Sequence, residues 1–125
     1  MTTEHDPPLL KNIVVPRTAR YAVLGEPGPD LKEVWVVCHG YAQLAQRFIE
    51  RFRSIASIER LIVAPEALSR FYADRGGGFH GPSSQVGASW MTSEDRESEI
   101  TDCIAYLDAV HDEVFSVVSR TMVTL

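Results

Sequence analysis

The sequence predicts an α/β fold, a sheet covered by helices on both faces. Two short continuous apolar runs, Val34–Cys38 (VWVVC) and Leu61–Ala64 (LIVA), read as strands buried on both sides. Further stretches place apolar residues at helical spacing, and strands that alternate with helices imply a parallel sheet. With 45% hydrophobic and 23% charged residues in 125, the chain has the size and mix of one globular domain.

Residues 1–11 are polar and carry Pro7-Pro8, so they read as a flexible leader, and the domain proper runs over 12–125. Asn12–Pro16 (NIVVP) and Ala19–Gly25 (ARYAVLG) read as two short strands, with Arg17-Thr18 between them as a hairpin turn. Glu26–Asp30 (EPGPD) is a turn cluster. The VWVVC strand breaks at His39-Gly40. Leu44, Ala45, Phe48, Ile49, Phe52, Ile55 and Ala56 then recur at helical spacing, opposite Gln46, Arg47, Glu50, Arg51 and Arg53, which predicts an amphipathic helix over 41–57. LIVA is the next strand and stops at Pro65. Residues 66–91 are glycine-rich yet hold Phe71, Tyr72, Phe79 and Trp90; a loop this long and this aromatic reads as functional. Thr92 or Ser93 is the expected N-cap of a long helix with Glu94, Asp95 and Glu97 in its first turn. Its apolar stripe is Ile100, Cys103, Ile104, Leu107, Val110, Val114, Val117 and Val118, it ends at Ser119-Arg120, and Thr121–Leu125 (TMVTL) begins another strand.

A formal charge of −5 argues against a nucleic-acid partner and against attraction to an anionic membrane. No apolar run approaches the ~20 residues of a membrane-spanning helix, and MTTEHDPPLLK lacks the pattern of a signal peptide, so the expected address is the cytoplasm. Cys38 and Cys103 form no disulfide framework, and both are expected as small buried hydrophobes.

The sharpest local feature is Cys38-His39-Gly40-Tyr41, at the carboxyl end of one predicted strand and the start of a helix. Ligands of open α/β sheets bind outside the carboxyl ends of strands. Unpaired N–H groups at a helix start can hold an anion, which is what an acyl-transfer enzyme needs for the oxyanion of its tetrahedral intermediate. The same pattern also describes an ordinary strand-to-helix turn.

VWVVCHGYAQLAQRF, RLIVAPEAL, GASWM, the acid-started EDRESEIT and SRTMVTL follow one another in an order that resembles the phospholipase/carboxylesterase branch of the α/β-hydrolases. The matching positions are His39-Gly40, Pro65 and Ser89-Trp90, and the resemblance covers roughly residues 34–125. It implies a partial α/β-hydrolase sheet, with antiparallel N-terminal strands followed by parallel strands and flanking helices. It also implies a serine hydrolase of carboxylic esters with a small ester or acyl-chain substrate and no cofactor. The backbone N–H of Tyr41 would be one oxyanion-hole donor, while His39 and Gly40 would shape the turn without proton transfer. Phe71, Tyr72, Phe79 and Trp90 are candidates for the wall of an acyl pocket; the alternative for Trp90 is simple packing in the core at the start of the long helix.

The family's strand would run from Thr121–Leu125 into G-x-S-x-G, the nucleophile elbow, with the acid and histidine of the triad later in the chain. No G-x-S-x-G occurs in these 125 residues; Gly87-Ala88-Ser89-Trp90-Met91 starts the pattern but ends on Met91. The expectation is therefore a truncated form with no catalytic residue of its own, inactive alone. Its strands would be only partly covered, and its C-terminal strand would be open to a partner or to self-association. The alternatives are a non-catalytic interaction module and an unrelated small α/β binding domain.

Three other patterns fail on context. Gly76-Gly77-Gly78-Phe79-His80-Gly81 satisfies G-x-G-x-x-G but neither follows a strand nor opens a helix. His5, His39, His80 and His111 lack ligand spacing, so no metal is expected. Cys38 and His39, as neighbours along a strand, point to opposite faces and do not make a thiol–imidazole pair.

Overall fold

The computed structural model describes residues 6–74, 81 and 83–121. Its elements are β1 (Tyr21–Leu24), β2 (Glu33–Val36), α1 (Ala45–Phe48) running directly into a 3-10 segment over Ile49–Ile55, β3 (Arg60–Pro65), β4 (Ser69–Tyr72), β5 (Val86–Ser89) and α2 (Arg96–Thr121). They make a small α/β fold with one three-stranded sheet, ordered β1-β3-β2, and one hairpin, β4-β5. β1 runs antiparallel to β3 in the register Tyr21 to Pro65, and β2 runs parallel to β3 in the register Glu33 to Arg60.

β3 is the centre because its residues are apolar on both sides. Leu61 and Val63 face Val110, Val114 and Val118 of α2, with Leu31 completing that cluster. Ile62 and Ala64 face Ala45 and Ile49, with Phe52, Ile55 and Leu24 around them. Alternate residues of a strand point to opposite faces, so one strand serves two helical layers. Burying each large aliphatic side chain of this kind contributes about 1.5–3 kcal/mol.

Several expectations are corrected. Leu61–Ala64 is not half covered: all four residues are buried, because α2 supplies one layer and α1 with its 3-10 extension the other. β2 is the exposed strand instead. It lies at the sheet's edge, with Trp35 and Val36 half exposed and the Arg60 guanidinium 5.0 Å over the Trp35 ring. Cys38, just beyond that edge strand, is exposed, whereas Cys103 is buried. Asn12–Pro16 forms no strand; Ile13 and Val14 are almost fully exposed. Pro16 removes a ladder donor where such a strand would turn towards β1. Asn12 instead donates to Asp95 Oδ2 at 2.7 Å and to Ser98 Oγ at 3.0 Å.

The helix expected over 41–57 begins only at Ala45, and most of it is 3-10. Its faces are as the periodicity requires, with Ala45 and Ile49 buried and Arg47, Glu50, Arg51 and Arg53 exposed. The loop 66–91 contains the β4-β5 hairpin, which the sequence did not announce. Residues 75–80, with Phe79 and the glycine run, lie outside the described residues. α2 starts at Arg96, later than Thr92 or Ser93, because residues 92–95 fold into a turn. There Thr92 Oγ1 accepts the Glu94 N–H, while the Glu99 carboxylate accepts the Thr92 N–H and Oγ1–H. The helix passes Ser119-Arg120 and takes in Thr121, so the strand predicted over Thr121–Leu125 cannot begin there; 122–125 lie outside the described residues. Ile104 is exposed, since the buried stripe narrows to Cys103, Val110, Val114 and Val118. Among the described residues no helix is long and apolar enough to cross a membrane.

Candidate functional site

β2 and β3 run parallel, and the chain segments that leave β2, β3 and β5 meet at His39. His39 is buried. Its Nε2 accepts the Ala67 N–H at 3.0 Å, so this nitrogen carries no proton. The ring proton therefore sits on Nδ1 and is donated to the Gly40 carbonyl at 2.7 Å. The Trp90 ring lies 5.1 Å from the His39 ring, and its Nε1–H donates to the His39 carbonyl at 2.8 Å. With both nitrogens engaged, His39 has no position left from which to take a proton from a substrate.

These bonds fix three successive peptide groups. The Gly40 N–H donates to Gln43 Oε1 at 2.5 Å. The Gly40 carbonyl accepts from both His39 Nδ1–H and the Gln43 N–H, the latter at 3.2 Å. The Ala42 N–H donates to the Ala88 carbonyl at 2.9 Å, and the Ala88 N–H returns a bond to the Gln43 carbonyl at 3.1 Å. Between them stands the Tyr41 N–H, which meets no acceptor among the described residues. In a planar trans peptide the N–H points opposite to the C=O. Anchoring the Gly40 carbonyl towards His39 therefore aims the Tyr41 N–H away from it.

The turn is held from outside by the hairpin. Ala42 adopts φ 65°, a left-handed conformation that costs an alanine roughly 1–2 kcal/mol. Gly87 of β5 lies flush against it, with no side chain to intervene.

Glu66 anchors the neighbouring segment. Its carboxylate is buried and accepts from Arg20 Nε at 2.6 Å, from an Arg70 amino group at 2.8 Å and from the Ala45 N–H at 3.2 Å. Burial pushes its pKa up. The two guanidiniums and the amide outweigh this and hold the carboxyl below its ordinary range. The start of α1 thus already holds an anion, and the anion is the chain's own. A concavity of about 230 Å³ lies beside it, lined by Arg20, Tyr21, Ala22, Ala45, Gln46 and Glu66.

Of the candidate wall residues, Phe71 stands with its ring 5.3 Å from that of Tyr41, and Trp90 packs between His39 and Tyr106. Tyr72 is exposed on β4, and Phe79 lies outside the described residues. Neither concavity is lined by any of them; the larger, about 540 Å³, opens at the amino end of β3 among Leu24–Asp30, Arg53 and Ala56–Ile58. Ser89 is buried at the end of β5, and its hydroxyl donates to the Met91 carbonyl at 3.1 Å. Burial, with Glu99 and Asp102 nearby, raises the Cys103 thiol, which donates to the Trp90 carbonyl. Sequence reasoning missed Gln43, Glu66 and Gly87. No protein-family model, curated protein or solved structure matches the chain.

Proposed function

We propose that these residues form the oxyanion side of a serine carboxylic-ester hydrolase of the α/β-hydrolase type, related to the phospholipase/carboxylesterase branch. One observation carries the proposal. The N–H groups of Gly40 and Ala42 are both bonded within the chain, the Tyr41 N–H between them is left without an acceptor among the described residues, and its peptide is held in direction by His39 and Gln43. Preorganised donors of this kind stabilise developing negative charge in acyl transfer. The antiparallel β1 beside the parallel pair β2 and β3 also suits such a sheet.

In the proposed reaction a serine oxygen adds to the ester carbonyl carbon, and the Tyr41 N–H holds the oxygen that becomes negative. Collapse of the intermediate expels the alcohol, and water then releases the acid. Ser89 and His39 are both engaged within the fold, so neither is proposed as the nucleophile or its base. Phe71 and Trp90 would flank the acyl group. The proposed setting is the cytoplasm, which the free thiols of Cys38 and Cys103 suit.

Butylphosphonate, an anion shaped like the tetrahedral intermediate, tests the proposal by amide NMR of the chain. The expected result is a saturable downfield shift of the Tyr41 amide that exceeds those of Gly40 and Ala42. A Tyr41 amide that ignores the phosphonate would defeat the proposal. A second reading, a non-catalytic interaction module, draws on the edge of β2, which pairs only with β3 among the described residues, with Trp35 and Val36 half exposed. Concentration-dependent sedimentation abolished by Val36→Lys would favour it.

A further inference from the structure

Gln43 makes three of the contacts that define the turn. Its side-chain oxygen takes the Gly40 N–H at 2.5 Å, its backbone N–H donates to the Gly40 carbonyl at 3.2 Å, and its carbonyl accepts the Ala88 N–H at 3.1 Å. The side-chain contact is the chemically selective one. A carboxamide oxygen occupies Gly40 as an acceptor without bringing a full charge to the turn. A hydrophobic residue there would leave the Gly40 N–H open beside that of Tyr41. A carboxylate would fill it equally well but set a negative charge one peptide from the place where the oxyanion forms.

We infer that the Gln43 side chain is the positioning residue of the turn: it occupies the Gly40 N–H, so that of these two adjacent donors only that of Tyr41 is left open, and it keeps the turn neutral enough to accept an anion. The inference rests on the oxyanion role proposed for Tyr41. Gln43 touches no reacting atom; it acts through Gly40 and Tyr41. A Cβ at Gly40 would stand 3.1 Å from Gln43 Oε1, so the two residues are fitted to each other.

Amide NMR of the chain with butylphosphonate, in wild type and two variants at constant ionic strength, tests this. In Gln43→Leu the Gly40 amide is expected to lose its hydrogen-bonded downfield position and to join Tyr41 in responding to the phosphonate. In Gln43→Glu the Gly40 amide is expected to keep its position while phosphonate affinity at Tyr41 falls about tenfold, the equivalent of about 1.4 kcal/mol. A Gln43→Leu spectrum with Gly40 and Tyr41 behaving as in wild type overturns the inference alone. If Gln43→Leu does not fold, Gln43→Glu decides, and unchanged affinity there overturns it. A wild-type Tyr41 that ignores the phosphonate defeats the oxyanion role itself and the inference with it.

Discussion

Gly87 lies so close to Ala42 that a Cβ on it would stand 2.4 Å from the Ala42 carbonyl oxygen. This close approach lets β5 exchange two hydrogen bonds with the turn and hold Ala42 at positive φ. Gly87→Ala is therefore expected to push the hairpin off the turn and to destabilise the fold by about 1–3 kcal/mol, the usual cost of overpacking. Ala42→Gly removes the conformational penalty of a Cβ and adds backbone entropy to the unfolded chain, so its net effect is within about 1 kcal/mol. Urea midpoints of the two variants check the contrast; equal midpoints would contradict it.

Glu66 predicts an acid dependence of stability. Its carboxyl titrates lower in the folded chain than its ordinary value near 4.5, because Arg20, Arg70 and the Ala45 N–H outweigh the effect of burial. The unfolded chain thus takes up this proton first as the pH falls. The stabilisation is complete above the unfolded value and disappears as the pH drops through the folded one. Glu66→Gln is expected to cost about 2 kcal/mol at pH 7, tempered because both arginines are partly exposed and rehydrate. Its stability should also fall less steeply below about pH 4.5. Parallel slopes for the two proteins would exclude Glu66 as the source.

His39→Phe keeps a flat ring beside Trp90 but removes the acceptor of the buried Ala67 N–H. An unsatisfied buried donor costs about 1–3 kcal/mol, and a loss of that size is expected in chemical denaturation. Long-range nitrogen–proton NMR of the wild type should find Nε2 without a proton and Nδ1 with one. The opposite tautomer would contradict the bonding drawn to Ala67 and Gly40.

What was legible in the sequence follows the strength of its periodicities. β3 reads directly from LIVA, because an unbroken apolar run is what a strand buried on both faces requires. The amphipathic face of α2 reads from Cys103, Val110 and Val114. His39-Gly40 reads as a turn at a strand's carboxyl end. The clasp around that turn was hidden for physical reasons. β5 is VGAS, poor in β-favouring residues, because Gly87 answers to a close approach to Ala42 that no local pattern records. Glu66 looks like a surface acid after a proline, and it is buried only because Arg20, 46 residues earlier, and Arg70 converge on it. Gln43 carries no signal of its own in the sequence, because its role comes from a side-chain bond to Gly40 that only the folded turn creates. The apolar Ile13-Val14-Val15 misled in the other direction, since nothing among the described strands pairs with it.

Amide hydrogen exchange at three consecutive residues tests the central claim most directly. Gly40 donates to Gln43 and Ala42 donates to Ala88, while Tyr41 between them has no acceptor among the described residues. The expected result is protection at Gly40 and Ala42, with Tyr41 exchanging far faster than either, because only a bonded amide must open before it exchanges. Protection at Tyr41 equal to that of its neighbours would mean that its N–H is already occupied within the fold and is not offered to an oxyanion.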